Sequence, residues 1–156
     1  MSIHTRLFGG LLALAVCTTL TWSAAQAADG TRYVSTAGKN ANDCTLAAPC
    51  RTLQRGINVT PPGGELRILD SGFYGNNADI KKSMTIASNG NTVYLGSSVR
   101  IEQAEAVVAL RDLVLSGQGT VLNGISVFAA ARVHIEGCVV HGFADNGIAV
   151  DGAQRS

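Results

Sequence analysis

The sequence predicts an all-β fold in which the chain winds into a parallel β-helix of about four coils. Short runs of alternating apolar and polar residues recur in its last third. Residues 113–117 return 25 positions later as 138–142, and residues 124–127 return 23 positions later as 147–150. Val108 likewise returns 25 positions later as Val133. Short period-two runs that recur every ~20–50 residues are typical of the stacked coils of a repeat protein.

Residues 1–27 predict a signal peptide. A weakly basic start precedes an apolar run over residues 7–20, which is too short to span a bilayer comfortably, and Ala25-Gln26-Ala27 fits the small-x-small cleavage rule. An N-terminal membrane anchor is the alternative. Cleavage before Ala28 implies a secreted or periplasmic protein that keeps no membrane attachment.

The predicted mature chain, residues 28–156, is long enough for one domain with a genuine core. It keeps 11 of the 12 basic residues and all 11 acidic ones, because only Arg6 leaves with the signal peptide. Nucleic acids and anionic membranes both require a basic surface. The balanced charge therefore argues against either partner.

Residues 28–64 predict an opening strand near Tyr33, a polar disulfide loop and a short helix. An exported chain meets an oxidising compartment, so we expect Cys44 and Cys50, which bracket the loop, to form a disulfide. Leu53 and Ile57 fall with Cys50 on one face of a helix over residues 50–58, which the Pro61–Gly64 run ends. We expect this helix to cap the first coil.

Residues 65–156 predict the coils themselves, with an incomplete C-terminus. Val99 and Ile101 lie 26 positions before Ile125 and Val127, which extends the ladder one coil backwards. Cys138 occupies an inward slot and is expected to be a buried structural thiol. No cap is visible after the last run, so we expect a truncated copy of a longer β-helix, or an open C-terminal edge that pairs with another chain.

From about Arg32 to Val150 the chain resembles bacterial secreted right-handed parallel β-helix proteins, the pectin-lyase-like superfamily. That superfamily includes polysaccharide lyases, glycoside hydrolases, phage tail spikes and many uncharacterised members, so the resemblance is specific for fold and leaves the function open. The resemblance is carried by the loop from Cys44 to Cys50, by Pro49–Leu53, Ser83–Ile86 and Leu110–Leu115, by Gly124-Ile125 and Gly147-Ile148, and by Glu136–Val140.

The resemblance implies two kinds of active site, and the sequence matches neither. The calcium-dependent lyases of the superfamily hold the metal with outer-face acidic residues beside a basic residue, and its hydrolases place several Asp residues on neighbouring coils. Here Asp112, Asp145 and Asp151 are scattered, and no group has calcium-loop or zinc spacing. We predict no catalytic, cofactor-binding or metal-binding residue, and calcium enters only under a lyase alternative.

Four outward-facing residues are weak surface candidates. His134 and His141 could serve acid–base chemistry because imidazole titrates near neutral pH, although solvated histidines are the commoner interpretation. Arg111 and Glu136 lie 25 positions apart and should be neighbours on the outer face. They could form a catalytic acid beside a base, but a cross-strand ion pair worth ~0.2–1 kcal/mol is the favoured interpretation.

We therefore expect an exported β-helix with a structural or carbohydrate-binding role and no evident catalytic site, whose partner is a polysaccharide. The scarcity of aromatic residues, 5% of the chain, is the weakness of this expectation. The alternative is a polysaccharide lyase or glycoside hydrolase of the superfamily whose active coils are missing or atypical. A trimeric fibre segment is a third interpretation.

Overall fold

The computed structural model describes residues 30–151 and confirms an all-β parallel solenoid of about four coils. The predicted signal peptide of residues 1–27 lies outside the described residues. In chain order the elements are β1 (Thr31–Val34), α1 (Leu53–Val59), β2 (Glu65–Ile68), β3 (Gly72–Phe73), β4 (Ala78–Ile80), β5 (Met84–Ala87), β6 (Thr92–Tyr94), β7 (Val99–Arg111), β8 (Val114–Ser116), β9 (Ile125–Glu136), β10 (Val139–His141) and β11 (Ile148–Val150).

The strands form two sheets in which every pairing between named strands is parallel. The larger sheet has the order β1-β2-β5-β7-β9-β11, with β4 also paired to β7. The smaller sheet has the order β3-β6-β8-β10. Each strand pairs with the strand that follows one full turn later along the chain, which is the connectivity of a solenoid.

The two long strands, β7 and β9, each contribute to two faces of the solenoid. The register between them shifts between Ile101 and Glu102 and again between Gln103 and Val107, and such irregularities bend a strand. The start of β7 pairs with β4, whereas its end pairs with β5. The first face therefore comprises β4, the starts of β7 and β9, and β11. The second comprises β1, β2, β5 and the ends of β7 and β9, and the third comprises β3, β6, β8 and β10.

The predicted register is confirmed on all three faces. Ile125 pairs with Ile148 on the first face, and Leu110 pairs with Ile135 on the second. On the third face, β8 pairs with β10 at the predicted separation of 25 positions. Aliphatic side chains thus lie over their counterparts in the next coil, as the repeats indicate.

The inward side chains form one continuous core, which is densest in the first coils. Leu66, Ile86 and Leu110 stack in one column and are each at most 1% exposed. Ile135, the next member of that column, is only partly buried, and Val150 is 70% exposed. The inward side chains of the last described coil contact a neighbouring coil on one side only. Burial stabilises the stack by ~25 cal/mol per Å² of apolar area.

The helix α1 begins three residues later than predicted. Cys50 lies before it and bridges to Val34, while the Thr52 side chain accepts the Arg55 N–H and forms the N-cap. Gly56 lets the helix approach the sheet closely, because a β-carbon there would lie 2.6 Å from Leu66 Cδ1. The helix therefore packs tightly on the first coil.

The cysteines are placed largely as predicted. Cys44 and Cys50 form a disulfide, and both residues are fully buried. Cys138 is a free thiol that is partly rather than fully buried, and its Sγ lies 3.3 Å from the Leu110 carbonyl oxygen. Cys138, like Ile135, belongs to the last full coil described, so its side chain contacts a neighbouring coil on one side only.

Replacing Leu110 with alanine tests the stacked core. We expect Leu110→Ala to lower the free energy of unfolding by about 2–5 kcal/mol, because it leaves a cavity between two coils. Leu122→Ala is the matched control: Leu122 is 66% exposed, so its truncation should change stability by no more than about 0.5 kcal/mol. Urea unfolding measures both free energies of unfolding, and equal decreases in the two variants would contradict the stacked core.

Candidate functional site

The structure brings Arg111 and Glu136 together on the outer side of the second face. They are paired in register, and Arg111 Nε lies 3.0 Å from Glu136 Oε2. Both side chains are about half exposed, at 51% and 55%. An exposed ion pair of this kind contributes ~0.2–1 kcal/mol. The geometry is that of a cross-strand ion pair.

The two candidate histidines lie on different faces of the solenoid. His134 pairs with Ala109 on the second face, and His141 pairs with Ser116 on the third. Both are exposed. Neither imidazole hydrogen-bonds to another described residue, so neither has a carboxylate that orients it. The structure therefore does not assemble the four candidates into one site.

The third face carries an outward column that includes two aromatic rings. Phe73 pairs in register with Tyr94, Tyr94 with Ser116, and Ser116 with His141. In β6, Val93 is buried and points inward, so its neighbour Tyr94 points outward. The residues that pair in register with Tyr94 share that outward direction. Phe73 is 48% exposed and Tyr94 is partly exposed. Two rings on adjacent coils thus share one surface.

A shallow groove of about 380 Å³ runs beside these rings. None of its lining side chains carries a charge. Aromatic walls with a few well-placed polar groups are typical of sites for small organic ligands. The lining residues are Phe73, Tyr94, Leu95, Gly96, Ser116, Gly117, Gln118 and Thr120.

Several polar groups at the groove have spare hydrogen-bonding capacity. Among residues 30–151, the Tyr94 and Ser116 hydroxyls and the Gln118 side-chain amide make no hydrogen bond to the protein. Gln118 and Thr120 are exposed, and Tyr94 and Ser116 are partly exposed. A hydroxyl can donate once and accept twice, and an amide offers two donors and an acceptor. The groove therefore presents donors and acceptors next to aromatic rings.

Main-chain contacts hold the aromatic column in place. The Tyr74 N–H donates to the Tyr94 carbonyl at 2.9 Å, and the Arg51 guanidinium donates to the Phe73 carbonyl at 2.6 Å. One coil further, the Gly117 N–H donates to the His141 carbonyl at 3.1 Å. These bonds fix the backbone under the rings and so fix the direction of their Cα–Cβ bonds.

A hydrogen-bonded carboxylate stabilises the corner next to Phe73. Asp70 accepts the Ser35 hydroxyl at 2.6 Å, the Thr36 N–H at 2.9 Å and the Tyr74 hydroxyl. Partial burial by itself raises the carboxyl pKa, but the hydrogen bonds from Ser35, Tyr74 and Thr36 outweigh it and lower the pKa of Asp70 below its ordinary 3.8. Burial and the adjacent carboxylate raise the pKa of the Tyr74 phenol. Asp70 thus ties the residues that follow β1 to Tyr74, which follows β3.

The first face is charged, in contrast to the third. Arg100 Nε lies 3.9 Å from Asp79 Oδ1, and its guanidinium also pairs with Glu102. Lys81 Nζ lies 3.6 Å from Glu102 Oε2. The guanidinium carbon of Arg100 is 5.1 Å from the ring centre of Phe128, which is 41% exposed. The aromatic ring on this face is therefore already engaged by a cation of the same chain.

The structure defines a parallel β-solenoid with one aromatic face whose strands carry no charged side chain. Within residues 30–151, no group of three or more His, Cys, Asp or Glu side chains is placed to hold a metal ion. No helix in the described part of the chain is long and apolar enough to cross a bilayer. The chain matches no protein-family model, no curated protein and no solved structure.

Sequence reasoning misses Phe73 and Tyr94. The two residues are 21 positions apart, outside the 23–26 spacing of the recognised repeats, and β3 is only two residues long. The one local signal is the alternation of Tyr94 with the inward Val93. That signal gives the direction of one ring, but not the residue that lies next to it.

Changing the Asp70 carboxylate to an amide should remove a pH-dependent part of the stability. Because the folded pKa is lowered, the stabilisation by Asp70 is present above the ordinary pKa of 3.8 and is lost as pH falls through the folded value. We expect Asp70→Asn to cost about 1–3 kcal/mol at neutral pH and less at low pH.

Urea unfolding between neutral and acidic pH measures this difference. Asp145→Asn is the control, since Asp145 is exposed and its carboxylate makes no hydrogen bond to the described protein. A cost for Asp70→Asn that stays constant as the pH falls would contradict the stabilising role of the charged form.

Proposed function

We propose that this chain is an exported, non-catalytic β-helix protein that binds carbohydrate on its third face. The observation that supports the proposal is the column in which exposed Phe73 and partly exposed Tyr94 pair in register, beside unpaired hydroxyl and amide groups. Sugar rings present apolar C–H surfaces and many hydroxyls, so they are bound by aromatic planes combined with hydrogen-bonding side chains. The third face offers both within one groove.

The aromatic column answers the main objection to carbohydrate binding. The chain has few aromatic residues, but the parallel register gathers two of the exposed ones on adjacent coils, about 4.8 Å apart in the pairing direction. Two rings at that separation offer apolar stacking surface on adjacent coils. A low aromatic content is therefore compatible with a stacking site.

Export and handedness belong to the same proposal. The apolar leader of residues 1–27 and the Cys44–Cys50 disulfide both suit an oxidising compartment outside the cytoplasm. Parallel crossover connections within one sheet are right-handed in about 98% of cases, which favours a right-handed coil. The resemblance to bacterial pectin-lyase-like proteins suits this architecture.

The helix α1 is proposed to cap the first coil. Its Gln54 side chain accepts the Asp79 N–H at 2.7 Å and donates to the Asp79 carbonyl at 3.3 Å. The amide thus satisfies backbone groups of β4 that would otherwise form an open strand edge. Buried Leu53 and Ile57 supply the apolar side of the same contact.

Replacing Phe73 with alanine tests the carbohydrate site. We expect Phe73→Ala to weaken polysaccharide binding about tenfold or more in affinity gel electrophoresis, because one of the two stacking rings is lost. Phe128→Ala is the matched control, since Phe128 is similarly exposed but lies on the first face. Binding that survives Phe73→Ala and disappears with Phe128→Ala would place the site on the other face.

Turnover assays test the non-catalytic part of the proposal. Incubation with pectate and alginate, with and without calcium, should release no unsaturated sugar and no reducing ends. Accumulation of either product by the purified chain would instead establish the lyase or hydrolase alternative.

The capping role of α1 is tested at Gln54. We expect Gln54→Ala to lower the free energy of unfolding by about 1–2 kcal/mol and to increase aggregation, because it leaves the Asp79 backbone groups unsatisfied. Gln103→Ala is the control, since Gln103 is exposed and its side chain forms no hydrogen bond within the described residues. Urea unfolding and light scattering report both effects, and equal behaviour of the two variants would refute the cap.

A further inference from the structure

We propose that the glycan held on the third face is a neutral one and that its chain runs parallel to the solenoid axis. This inference rests on the carbohydrate-binding function proposed above and adds the class and the orientation of the ligand. It follows from the charges of the three faces and from the direction of the aromatic column.

The strands of the third face carry no charged side chain, and the nearby Arg51 guanidinium donates to the Phe73 carbonyl. The four strands read Gly-Phe, Thr-Val-Tyr, Val-Leu-Ser and Val-Val-His, without a single Asp, Glu, Lys or Arg. The other two faces carry ion pairs, such as Arg100–Glu102 on the first and Arg111–Glu136 on the second. Acidic glycans are held through charge-assisted bonds from Arg or Lys. The third face has no such group in its strands, so its chemistry matches uncharged sugars.

The orientation follows from the column. Phe73, Tyr94, Ser116 and His141 occupy four successive coils, so the column spans roughly 14 Å along the axis at about 4.8 Å per step. The apolar rings lie at one end, and hydroxyl and imidazole groups lie at the other. A glycan that follows the column stacks two sugar rings first and meets hydrogen-bonding groups next.

A second outward column lies beside the first and bears on how a glycan could be oriented on this face. It consists of Thr92, Val114 and Val139, which pair in register, and Val139 is 53% exposed. These side chains offer little hydrogen bonding across the face. On this side of the column, a glycan laid across the coils would therefore contact fewer polar groups than one that follows the Phe73 column.

Affinity gel electrophoresis of the purified chain tests the class of ligand. The probes are three neutral polysaccharides, hydroxyethylcellulose, glucomannan and dextran, and two acidic ones, polygalacturonate and alginate. We expect retardation by at least one neutral probe that persists near 1 M NaCl, where the screening length is about 3 Å and charge attraction is suppressed. Retardation by the acidic probes alone, abolished by salt, would overturn the neutral class while leaving carbohydrate binding intact. Binding to none of the five probes would overturn both.

Variants along the column test the orientation. With oligosaccharides of the neutral probe that binds, Tyr94→Phe and Ser116→Ala should each weaken affinity about threefold to tenfold, the effect of one lost hydrogen bond. His141→Ala should matter for long oligosaccharides and not for the shortest ones, because His141 lies at the far end of the column. Thr85→Ala, on the second face, is the control.

The opposite pattern would overturn the orientation. If Ser116→Ala and His141→Ala leave every oligosaccharide unaffected while Phe73→Ala abolishes binding, the glycan contacts only one end of the column. Equal effects of His141→Ala on the shortest and longest oligosaccharides would also contradict an axial chain.

Discussion

The whole structure depends on the requirement that each side chain lies directly over its counterpart in the neighbouring coil. Parallel pairing in register meets this requirement, and it places Leu66, Ile86 and Leu110 in one buried column. No single coil could bury its inward side chains alone, so the stability of each coil depends on its neighbours. The irregular spacings are accommodated in the corners, where extra residues leave the inward positions undisturbed.

The same register also aligns the outward side chains, which do not pack in the core. On the first and second faces these columns contain ion pairs, each worth little to stability because it is exposed. On the third face they contain rings, hydroxyls and aliphatic groups without charge. The geometry that builds the core therefore also collects residues far apart in sequence into surfaces of distinct chemistry.

Much of the fold could be predicted from the sequence, because the inward positions repeat at nearly constant separations. The Arg111–Glu136 pair follows from the same separation and could be predicted with it. The Phe73–Tyr94 column could not, since shorter corners reduce that spacing to 21 positions and β3 has too few residues to set a register. The hydrogen bond between Gln54 and the edge of β4 could not be predicted either. Here a helix side chain takes the place of a neighbouring strand, and such a contact produces no repeat in the sequence.

The most direct test of the stacked register is a set of methyl–methyl nuclear Overhauser effects in a sample labelled at the Ile and Leu methyl groups. The account predicts cross-peaks from Leu110 to both Ile86 and Ile135, because these residues occupy one column in three successive coils. It predicts none between Ile86 and Ile135, which Leu110 separates. Absence of either Leu110 cross-peak, or backbone contacts of the antiparallel type between these strands, would contradict the solenoid and the faces built on it.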